Sequence, residues 1–573
     1  MKKTFKNNEL NLQHVGQVVT LYGWVLNKRK FGEISFVDLR DKYGVTQLVF
    51  NQPIHFSKES VLEVTGEVVR RKDPNPSLKT GDIEIIVQDF KVFSSANELP
   101  FAIRDDAEVN EELRLKYRFL DLRRPVMQKT LKLRNDIFFA MREYMQENEF
   151  TEIETPMLAK ATPEGARDFL VPTRHGGTFY ALPQSPQLFK QLLMVSGFER
   201  YYQFARCFRD EDSRKDRQPE FTQLDIETSF LEVPDFMTLI EGLFKHFMKK
   251  VMNVDIQTPF PKLKFNDCIR DYGTDKPDLR YEVKIIDIPD FANITDFNII
   301  KDAPSKRLLV IDEVITKKQF KALEEIAKKN KANALFYFTV ENGKFVESNF
   351  AKKIPQAVEE LIQKINKNNG TYFIVANKYE NASQALGALR VELNNIYHWA
   401  RDEYNFSWIV DWPMFEYNEE DDTWAAAHHP FTQFDNTLEE INTLSKDKLR
   451  AKSYDLVLNG FELGSGSARI YDSEMQEKMF ELIGLNKEQQ EEKFGFFLNG
   501  LKYGVPPHCG IGLGMDRLVM ILAEQKTIRD VIAFPKNAKN QDIFTGAPSS
   551  VDSKSLEELS LLINLEKHKK ENE

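Results

Sequence analysis

The segment YYQFARCFRDEDSRKDRQPEFTQLDIETSF, Tyr201 to Phe230, gives the clearest indication of how this chain folds. Two strand-like runs flank a highly charged loop from Asp210 to Glu220, which predicts a long β-hairpin. Such a hairpin would present Arg209 to a phosphate as a planar, permanently charged donor, and Phe221 would offer a flat face to a base. An arginine beside an aromatic ring indicates a nucleotide site. The alternative, on composition alone, is a solvated charged hairpin.

A second candidate is the glycine-rich GIGLGMDRLVMIL, Gly510 to Leu522, where three alternate glycines precede an apolar helix start. Its spacing does not fit the G-x-G-x-x-G fingerprint, and the sequence contains no P-loop. Taken alone, the glycines are equally explained by close packing. Together with the hairpin, Arg517 would supply the second arginine that a bent triphosphate requires.

The third candidate is YDLVLNGFELGSGSARI, Tyr454 to Ile470, in which Asn459-Gly460 predicts a two-residue hairpin turn. Pairing across this turn would place Val457 opposite Glu462, with Asp455 diagonal to Glu462 on the same face. Two carboxylates beside a nucleotide typically hold Mg²⁺. Two exposed acids at a hairpin are the alternative.

Two basic residues, Lys190 in LPQSPQLFKQ and Arg469, indicate an anionic ligand group, although a lone cation is most often surface solvation. His428 and His429 are adjacent in a strand-like stretch, so they would point to opposite faces. No further metal ligand lies near them in sequence. We therefore favour substrate contact by one histidine over metal binding.

The composition sets the wider limits. At 573 residues the chain predicts three or four domains. Its net charge of −10 means that any nucleic-acid surface must be a local basic patch. The three scattered cysteines favour a reducing cytoplasm. Without an apolar signal region or a run near the ~18 residues of a membrane span, the protein is expected to be neither exported nor inserted.

Periodicity outlines the organisation of the chain. Residues 1 to about 103 predict a small barrel, of the OB type, from five strands: Val18–Leu26, Ile34–Arg40, Val45–Phe50, Val61–Arg70 and Ile83–Phe93. Phe36 would lie on a polar strand face. An apolar stripe then predicts a helix through Leu133, Ile137, Met141 and Met145, before a strand at Phe150 to Leu158 and helices at Leu231–Met252 and Lys317–Asn330.

Three of these segments together resemble the signature motifs of class II aminoacyl-tRNA synthetases: FTEIETPML, FRDED…QPEF and GMDR. Glu149 stands where the first motif often has glycine. No class I His-x-Gly-His signature occurs. The resemblance extends to PEGARDFLVP, LPQSPQLFKQLLM, HHPFT, LKYGVPPHCG and RDVIAFPK, and it is to the bacterial type of aspartyl-tRNA synthetase, in subclass IIb.

This resemblance implies an α+β multidomain fold: an N-terminal OB-fold β-barrel and an antiparallel-sheet catalytic domain with an inserted α/β domain. The expected division is residues 1–103 for anticodon binding, 104–125 as a hinge, 126–280 for the first catalytic part with motifs 1 and 2, 281–404 as the insertion, 405–551 for the second catalytic part with motif 3, and 552–573 as a C-terminal tail. A homodimer through motif 1 is also implied.

The chemistry implied by the resemblance is activation of L-aspartate by ATP to an aspartyl-adenylate, followed by transfer to the terminal ribose of tRNA-Asp. The implied catalytic residues are Arg209 at the α-phosphate, Glu211 at the adenine amine and Arg517 at the γ-phosphate. ATP would also be bound by Asp210, Gln218, Phe221, Glu462, Gly514, Met515 and Asp516. Asp455 and Glu462 would hold Mg²⁺.

For the amino acid, the resemblance implies that the ammonium end is bound by Glu164, Ser185 and Gln187, and the α-carboxylate by Arg209. The side-chain carboxylate would be surrounded by Lys190, Arg469 and His428, with Asp225 orienting the lysine. Two cations without a counter-charge would then reject asparagine.

On the RNA side, the family implies that Phe36 stacks on an anticodon base, that Arg29 supplies local positive charge and that Gln47 reads a base edge. Whether tRNA-Asn is also aspartylated stays open. The rivals are lysyl- and asparaginyl-tRNA synthetases, an inactive RNA-binding paralogue and an asparagine synthetase of the same fold. A lysine pocket would need acids where Lys190 and Arg469 stand, and the N-terminal barrel argues against the last rival.

Overall fold

The computed structural model describes residues 3–162, 165–291, 297–418 and 422–564. The chain forms two compact units, Met1–Asn110 and Glu111–Glu573. Glu164 and the charged C-terminal residues 565–573 lie outside the described residues. Among the residues described, no helix is both long and apolar enough to cross a membrane.

The first unit is a closed barrel with the strand order β1-β2-β3-β5-β4. Its strands are β1 Val18–Phe31, β2 Ile34–Arg40, β3 Val45–Phe50, β4 Val61–Arg70 and β5 Ile83–Ser94. Along β2, burial alternates so that Val37 and Leu39 face the core while Phe36 faces outward. All five predicted strands are confirmed, with β1 running five residues beyond Leu26 along its pairing with β2. The predicted OB-type barrel is therefore confirmed.

The second unit is built on an eight-stranded sheet of order β11-β17-β22-β23-β24-β10-β9-β6, antiparallel except at its two ends. The strands of this unit are β6 Thr151–Glu152, β7 Leu170–Pro172, β8 Phe179–Ala181, β9 Arg200–Phe208, β10 Glu220–Ser229, β11 Lys262–Lys264, β12 Ile285–Asp287, β13 Ser305–Ile311, β14 Phe336–Glu341, β15 Lys344–Ser348, β16 Gly370–Asn377, β17 Phe406–Val410, β18 Trp412–Pro413, β19 Phe415–Asn418, β20 Thr423–Ala426, β21 Arg450–Ala451, β22 Ser453–Leu458, β23 Phe461–Ala468 and β24 His508–Gly514.

Helices lie between many of these strands along the chain. They are α1 Glu111–Lys116, α2 Arg118–Asp121, α3 Pro125–Glu147, α4 Gln187–Val195, α5 Val233–Phe247, α6 Phe265–Tyr272, α7 Asn298–Lys301, α8 Lys317–Lys329, α9 Pro355–Ile365, α10 Tyr379–Tyr397, α11 Leu438–Thr443, α12 Ser473–Leu482, α13 Lys487–Gly500, α14 Met515–Leu522 and α15 Ser553–Glu558.

One face of the large sheet carries the main hydrophobic core. Ile137 and Met141 of α3 pack there with Ile240 of α5 and Val519 of α14, so the predicted apolar stripe is core. Because side chains alternate along a strand, β10 sends Leu224 and Ile226 into this core. Its intervening polar residues face the other side of the sheet, which is left for a ligand.

An α/β module lies in the chain between β11 and β17. Its five strands form an antiparallel sheet of order β12-β13-β16-β14-β15. Helices α8 and α10 pack on one face, around Phe373, and α9 packs on the other, around Ile374. The inserted α/β module predicted from the sequence is thus present.

The prediction of a strand from Phe150 to Leu158 is wrong over most of this length, since only Thr151–Glu152 pair with another strand, β9. These two residues lie at the edge of the sheet, and Pro156 cannot donate to a ladder. The helix predicted over Leu231 to Met252 is α-helical only to Phe247 and ends in a π-helical turn, Met248–Met252.

Candidate active site

A polar cavity of about 510 Å³ lies on the open face of the eight-stranded sheet. The hairpin of β9 and β10 forms one wall, as the sequence predicted, and β10 pairs with β24 so that Asp225 lies opposite Gly512. Alternation along β10 turns Phe221, Gln223 and Asp225 toward the cavity. The glycines of β24 have no side chains, so this strand leaves space for a ligand above its backbone.

Most predicted site residues converge on this cavity. The residues that line it are Ser185, Gln187, Lys190, Arg209, Glu211, Gln218, Phe221, Asp225, His428, Asp455, Glu462, Arg469, Gly514, Asp516 and Arg517. Two others do not line it: Asp210 pairs with Arg167, and the Met515 side chain is in the hydrophobic core. Only the backbone of Met515 can therefore face a nucleotide.

At one end of the cavity, the guanidinium of Arg209 lies 5.1 Å from the centre of the Phe221 ring. Arg517 donates 3.0 Å to Asp216 and also bonds the carbonyl oxygen of Glu462. Glu211 accepts 2.9 Å from Arg217, a neighbour that the sequence analysis did not single out. Arginines and a ring thus surround a space suited to a base and its phosphates.

Gln218 is held more tightly than the sequence suggested. Its Oε1 accepts from the Lys536 backbone nitrogen at 2.8 Å, and its Nε2 donates to the Lys536 carbonyl at 3.1 Å. One amide hydrogen and one lone pair are left for a ligand.

The hairpin of β22 and β23 brings two carboxylates together. Val457 pairs with Glu462 as predicted, and the Asn459 and Gly460 of the turn have φ of 51° and 84°. Asp455 is 5% exposed, and its Oδ1 has no hydrogen-bond partner among the described residues. Burial and the adjacent Glu462 raise the pKa of Asp455 well above its usual range.

A divalent cation fits this pair, because it would neutralise the buried charge and use the unpartnered oxygen. Within the described part of the chain, no three His, Cys, Asp or Glu side chains converge as a metal-binding group. A cation here would therefore rely on Asp455, Glu462 and oxygens of a bound phosphate. Asp275, which the sequence analysis did not identify, also lines the cavity.

The other end of the cavity holds a buried charge network. Lys190 Nζ lies 2.9 Å from Asp225 and 3.5 Å from Glu227. Arg469 donates to both oxygens of Glu227, at 2.9 and 3.2 Å. Although burial alone would raise the pKa of Glu227, Arg469 and Lys190 lower it. The carboxylate therefore stays charged beside both cations.

Glu227 changes one argument made from the sequence. Lys190 and Arg469 already have counter-charges in Asp225 and Glu227, so the expectation that asparagine would leave two uncompensated cations is wrong. The sequence analysis did not single out Glu227, although strand alternation places it on the same face as Asp225, two residues earlier. An amide at this end would direct N–H groups at the donors of Lys190 and Arg469, whereas a carboxylate would accept from both, so this end of the cavity suits a carboxylate.

The adjacent histidines both line the cavity, so the expectation that they point to opposite faces is wrong, because the chain bends at Ala427 and His428 after β20 instead of continuing as a strand. Arg469 Nη1 lies 2.6 Å from His429 Nε2, while Ser465 Oγ lies 2.9 Å from His428 Nδ1. Burial and then Arg469 lower the pKa of His428 to about 4 and that of His429 well below its usual value. Neutral rings result, and His429 rather than His428 is the one that contacts Arg469.

Several buried polar atoms at the cavity have no hydrogen-bond partner in the described residues, which indicates a polar ligand. They are Gln187 Nε2, Asp225 Oδ2, His428 Nε2, Asp455 Oδ1 and Arg517 Nε.

In the barrel unit, Phe36 lies half-buried on the outer face and pairs with Arg29 across the strands. The Arg29 side chain is 64% exposed, with Asp38 at 3.7 Å. Gln47 is 3% exposed, and its amide bonds Glu84 at 2.7 Å and Arg71 at 2.6 Å. Reading a base edge would require these bonds to be exchanged, a constraint that sequence spacing cannot reveal.

Comparison with known proteins agrees with this geometry. Residues 110–538 match the model of class II tRNA synthetases (D, K and N), and residues 19–93 match the OB-fold nucleic acid binding domain. The chain is 48% identical to an aspartate–tRNA ligase of Malacoplasma penetrans, over 96% of this chain and 97% of that one. It is 44% identical to an aspartate–tRNA(Asp/Asn) ligase of Dictyoglomus turgidum, over the full length of both.

Solved structures show the same fold at low identity. The asparaginyl-tRNA synthetase of Pyrococcus horikoshii matches with a TM-score of 0.59 and 18% identity, over 93% of this chain and 98% of that chain. The aspartyl-tRNA synthetase of Entamoeba histolytica matches with a TM-score of 0.57 and 19% identity, over 93% and 92%. From its full-length identity to bacterial enzymes and its two matched domains, the chain belongs to the aspartate–tRNA ligases of the class II tRNA synthetases.

Proposed function

We propose that this protein attaches L-aspartate to tRNA-Asp in two steps, by way of an aspartyl-adenylate, with release of pyrophosphate and AMP. The main support is one cavity with two chemically distinct ends. Arg209, Phe221 and Arg517 suit ATP at one end, whereas Lys190 and Arg469 suit a small anion at the other. A single cavity holding both would bring the carboxylate of the amino acid to the α-phosphate.

In this proposal, Arg209 stabilises the charge that develops as pyrophosphate leaves, and Arg517 holds the γ-phosphate. Glu211 and Phe221 take the adenine. Bound Mg²⁺ would supply charge neutralisation for the phosphates, held by Asp455 and Glu462. Residues proposed for further nucleotide contacts are Asp210, Gln218, Gly514, Met515 and Asp516.

For the amino acid, we assign the side-chain carboxylate to Lys190, Arg469 and the neutral His428, with Asp225 orienting the lysine. Ser185 and Gln187, which line the cavity, are assigned to the ammonium end. Glu164, assigned to the same end, lies outside the described residues. Anticodon recognition is assigned to Phe36, Arg29 and Gln47 of the barrel.

We further propose that the chain acts as a homodimer through motif 1, Phe150 to Leu158, in a reducing cytoplasm where its three cysteines remain free thiols, as they are in the structure. The proposed division follows the sequence expectation, with residues 1–103 for the anticodon, 126–280 and 405–551 for catalysis and 281–404 as the inserted module.

A second candidate activity is aspartylation of tRNA-Asn as well. The relative from Dictyoglomus turgidum carries Asp/Asn in its name, at 44% identity over the full length of both chains. The test is ATP–pyrophosphate exchange with aspartate, asparagine and lysine, followed by aminoacylation of purified tRNA-Asp and tRNA-Asn. Exchange with aspartate alone is expected, and its absence would refute the proposal. Charging of tRNA-Asn would establish the broader activity.

A further inference from the structure

Arg134 of helix α3 reaches the wall of the cavity from behind, without lining it. Its guanidinium bonds Asp516 Oδ1 through Nη1 and donates to Thr222 Oγ1 through Nη2 at 3.3 Å. The Arg134 side chain is 18% exposed, and that of Asp516 is 2% exposed. An arginine from a helix 382 residues away in sequence thus supplies the charge partner of a buried carboxylate.

The carboxylate of Asp516 joins two walls of the cavity. Its Oδ2 accepts from the backbone nitrogen of Thr222 at 2.7 Å. Thr222 stands between Phe221 and Gln223 on β10, and Asp516 directly precedes Arg517 on α14; these three neighbours all line the cavity. Both oxygens of Asp516 therefore bond protein groups, and these bonds fix the spacing between strand and helix.

Arg134 bonds both Asp516 and Thr222, and so joins α3 to the contact between strand and helix. Thr222 Oγ1 also accepts from Arg206 at 3.1 Å, so two arginines meet on one hydroxyl. Asp516 is the only carboxylate that Arg134 contacts among the described residues. Without Arg134, the charge of Asp516 would keep only the Thr222 amide, and a buried charge with too few partners moves toward solvent or takes up a proton. Either response would shift Thr222 relative to Arg517.

We propose that Arg134 is a positioning residue for ATP, which fixes the gap between the ring of Phe221 and the guanidinium of Arg517. This inference rests on the proposed assignment of those two residues to ATP. The aspartate end is independent of it, since Lys190 and Arg469 are held by Asp225 and Glu227. Loss of Arg134 should therefore weaken nucleotide binding selectively.

The test compares Arg134→Met and Arg134→Lys with Arg401→Met, a control outside the cavity and outside motif 1 whose arginine pairs with the exposed Glu403 at 2.9 Å. ATP binding is measured by calorimetry, and the KM values for ATP and aspartate by pyrophosphate exchange. We expect Arg134→Met to weaken ATP binding and raise its KM by about tenfold or more, with the KM for aspartate within about twofold of wild type. The lysine variant should recover part of the loss.

Equal changes in both KM values, or unchanged ATP binding, would overturn the proposal. If Arg134→Met does not fold, Arg134→Lys decides alone, because it keeps the charge but loses one of the two directed bonds. Arg401→Met should match wild type in every measurement. If wild type binds ATP but shows no aspartate-dependent exchange, the proposed function fails, while calorimetry still tests Arg134.

Discussion

Lys190 is the residue whose replacement best tests the substrate end of the cavity. Its Nζ bonds Asp225 at 2.9 Å, with only 2% of its side chain exposed. Lys190→Met should raise the KM for aspartate by about 10- to 100-fold, since a charge-assisted hydrogen bond contributes about 1.5–3 kcal/mol. The KM for ATP should stay near wild type. Both constants are measured by pyrophosphate exchange.

A structural role for Lys190 predicts a different outcome. If the lysine only neutralises Asp225, the double variant Lys190→Met/Asp225→Asn should regain wild-type activity, because no unpaired charge is left. If Lys190 binds substrate, the double variant should regain thermal stability but not its affinity for aspartate. Restored affinity would contradict the assignment.

At the scale of single residues, the sequence indicated which residue types could form the site, but not which side chains they contact. The convergence of Lys190 and Arg469 on one cavity was expected, and the structure places both there. Glu227 was missed because β10 carries several polar residues, and strand alternation does not show which of them meets a cation. Its effect depends on the fold, which brings Arg469 from 242 residues away to within 2.9 Å.

Among the elements, β24 shows how one strand serves both packing and binding. A Cβ at Gly510 would lie 1.9 Å from Glu227 Oε2 and 2.2 Å from the Ile226 carbonyl oxygen. A Cβ at Gly512 would point into the cavity, 3.3 Å from Asp225 Oδ1. The two glycines of this motif are therefore needed for different reasons: Gly510 allows close packing, and Gly512 leaves space for a ligand.

This difference predicts distinct phenotypes for two alanine variants. Gly510→Ala should lower the melting temperature, because forcing a methyl group against the Glu227 carboxylate and the Ile226 carbonyl costs about 1–3 kcal/mol or more. Gly512→Ala should melt like wild type but raise the KM for aspartate, because its methyl group takes ligand space beside Asp225. Thermal melts and pyrophosphate exchange measure the two effects. The same melting temperature for both variants would contradict this interpretation of the strand.

Elements with strong local signals were predicted well. The Asn459-Gly460 turn predicted the two pairs next to it, although the register shifts by one residue between Val457 and Leu456. The β9–β10 hairpin followed from two alternating runs. The strand after Phe150 was predicted too long, because its pairing depends on a neighbour distant in sequence, β9, which it contacts over two residues only. Periodicity shows that a segment can form a strand, but not whether a partner lies beside it.

At the scale of the whole molecule, the two units carry different candidate sites. All residues that line the large cavity come from Glu111–Glu573, whereas the outward-facing Phe36 belongs to Met1–Asn110. The order of the domains was predictable because the barrel and the catalytic motifs each have a sequence pattern. The cavity depth and the charge balance were not, since they arise from side chains that meet only in the folded unit.

This division predicts that the two steps of the reaction can be separated by mutation. Phe36→Ala should leave aspartate-dependent pyrophosphate exchange at the wild-type level, because no cavity residue changes. Aminoacylation of tRNA-Asp should lose about 10- to 100-fold in kcat/KM, because stacking of a base on an aromatic ring contributes about 1–3 kcal/mol. Both reactions are measured on the same preparation.

Phe93→Ala is the matched control for that experiment. Phe93 is another surface aromatic residue of the barrel, but its ring stacks on that of Tyr22 with centres 6.1 Å apart, and it lies on β5 rather than β2. If any exposed ring of the barrel supported RNA binding, both variants would lose charging alike. If Phe36 alone is the platform, Phe93→Ala should charge tRNA normally. Equal loss of exchange and charging in Phe36→Ala would instead mean that this residue supports the fold, and the separation of the two units by function would fail.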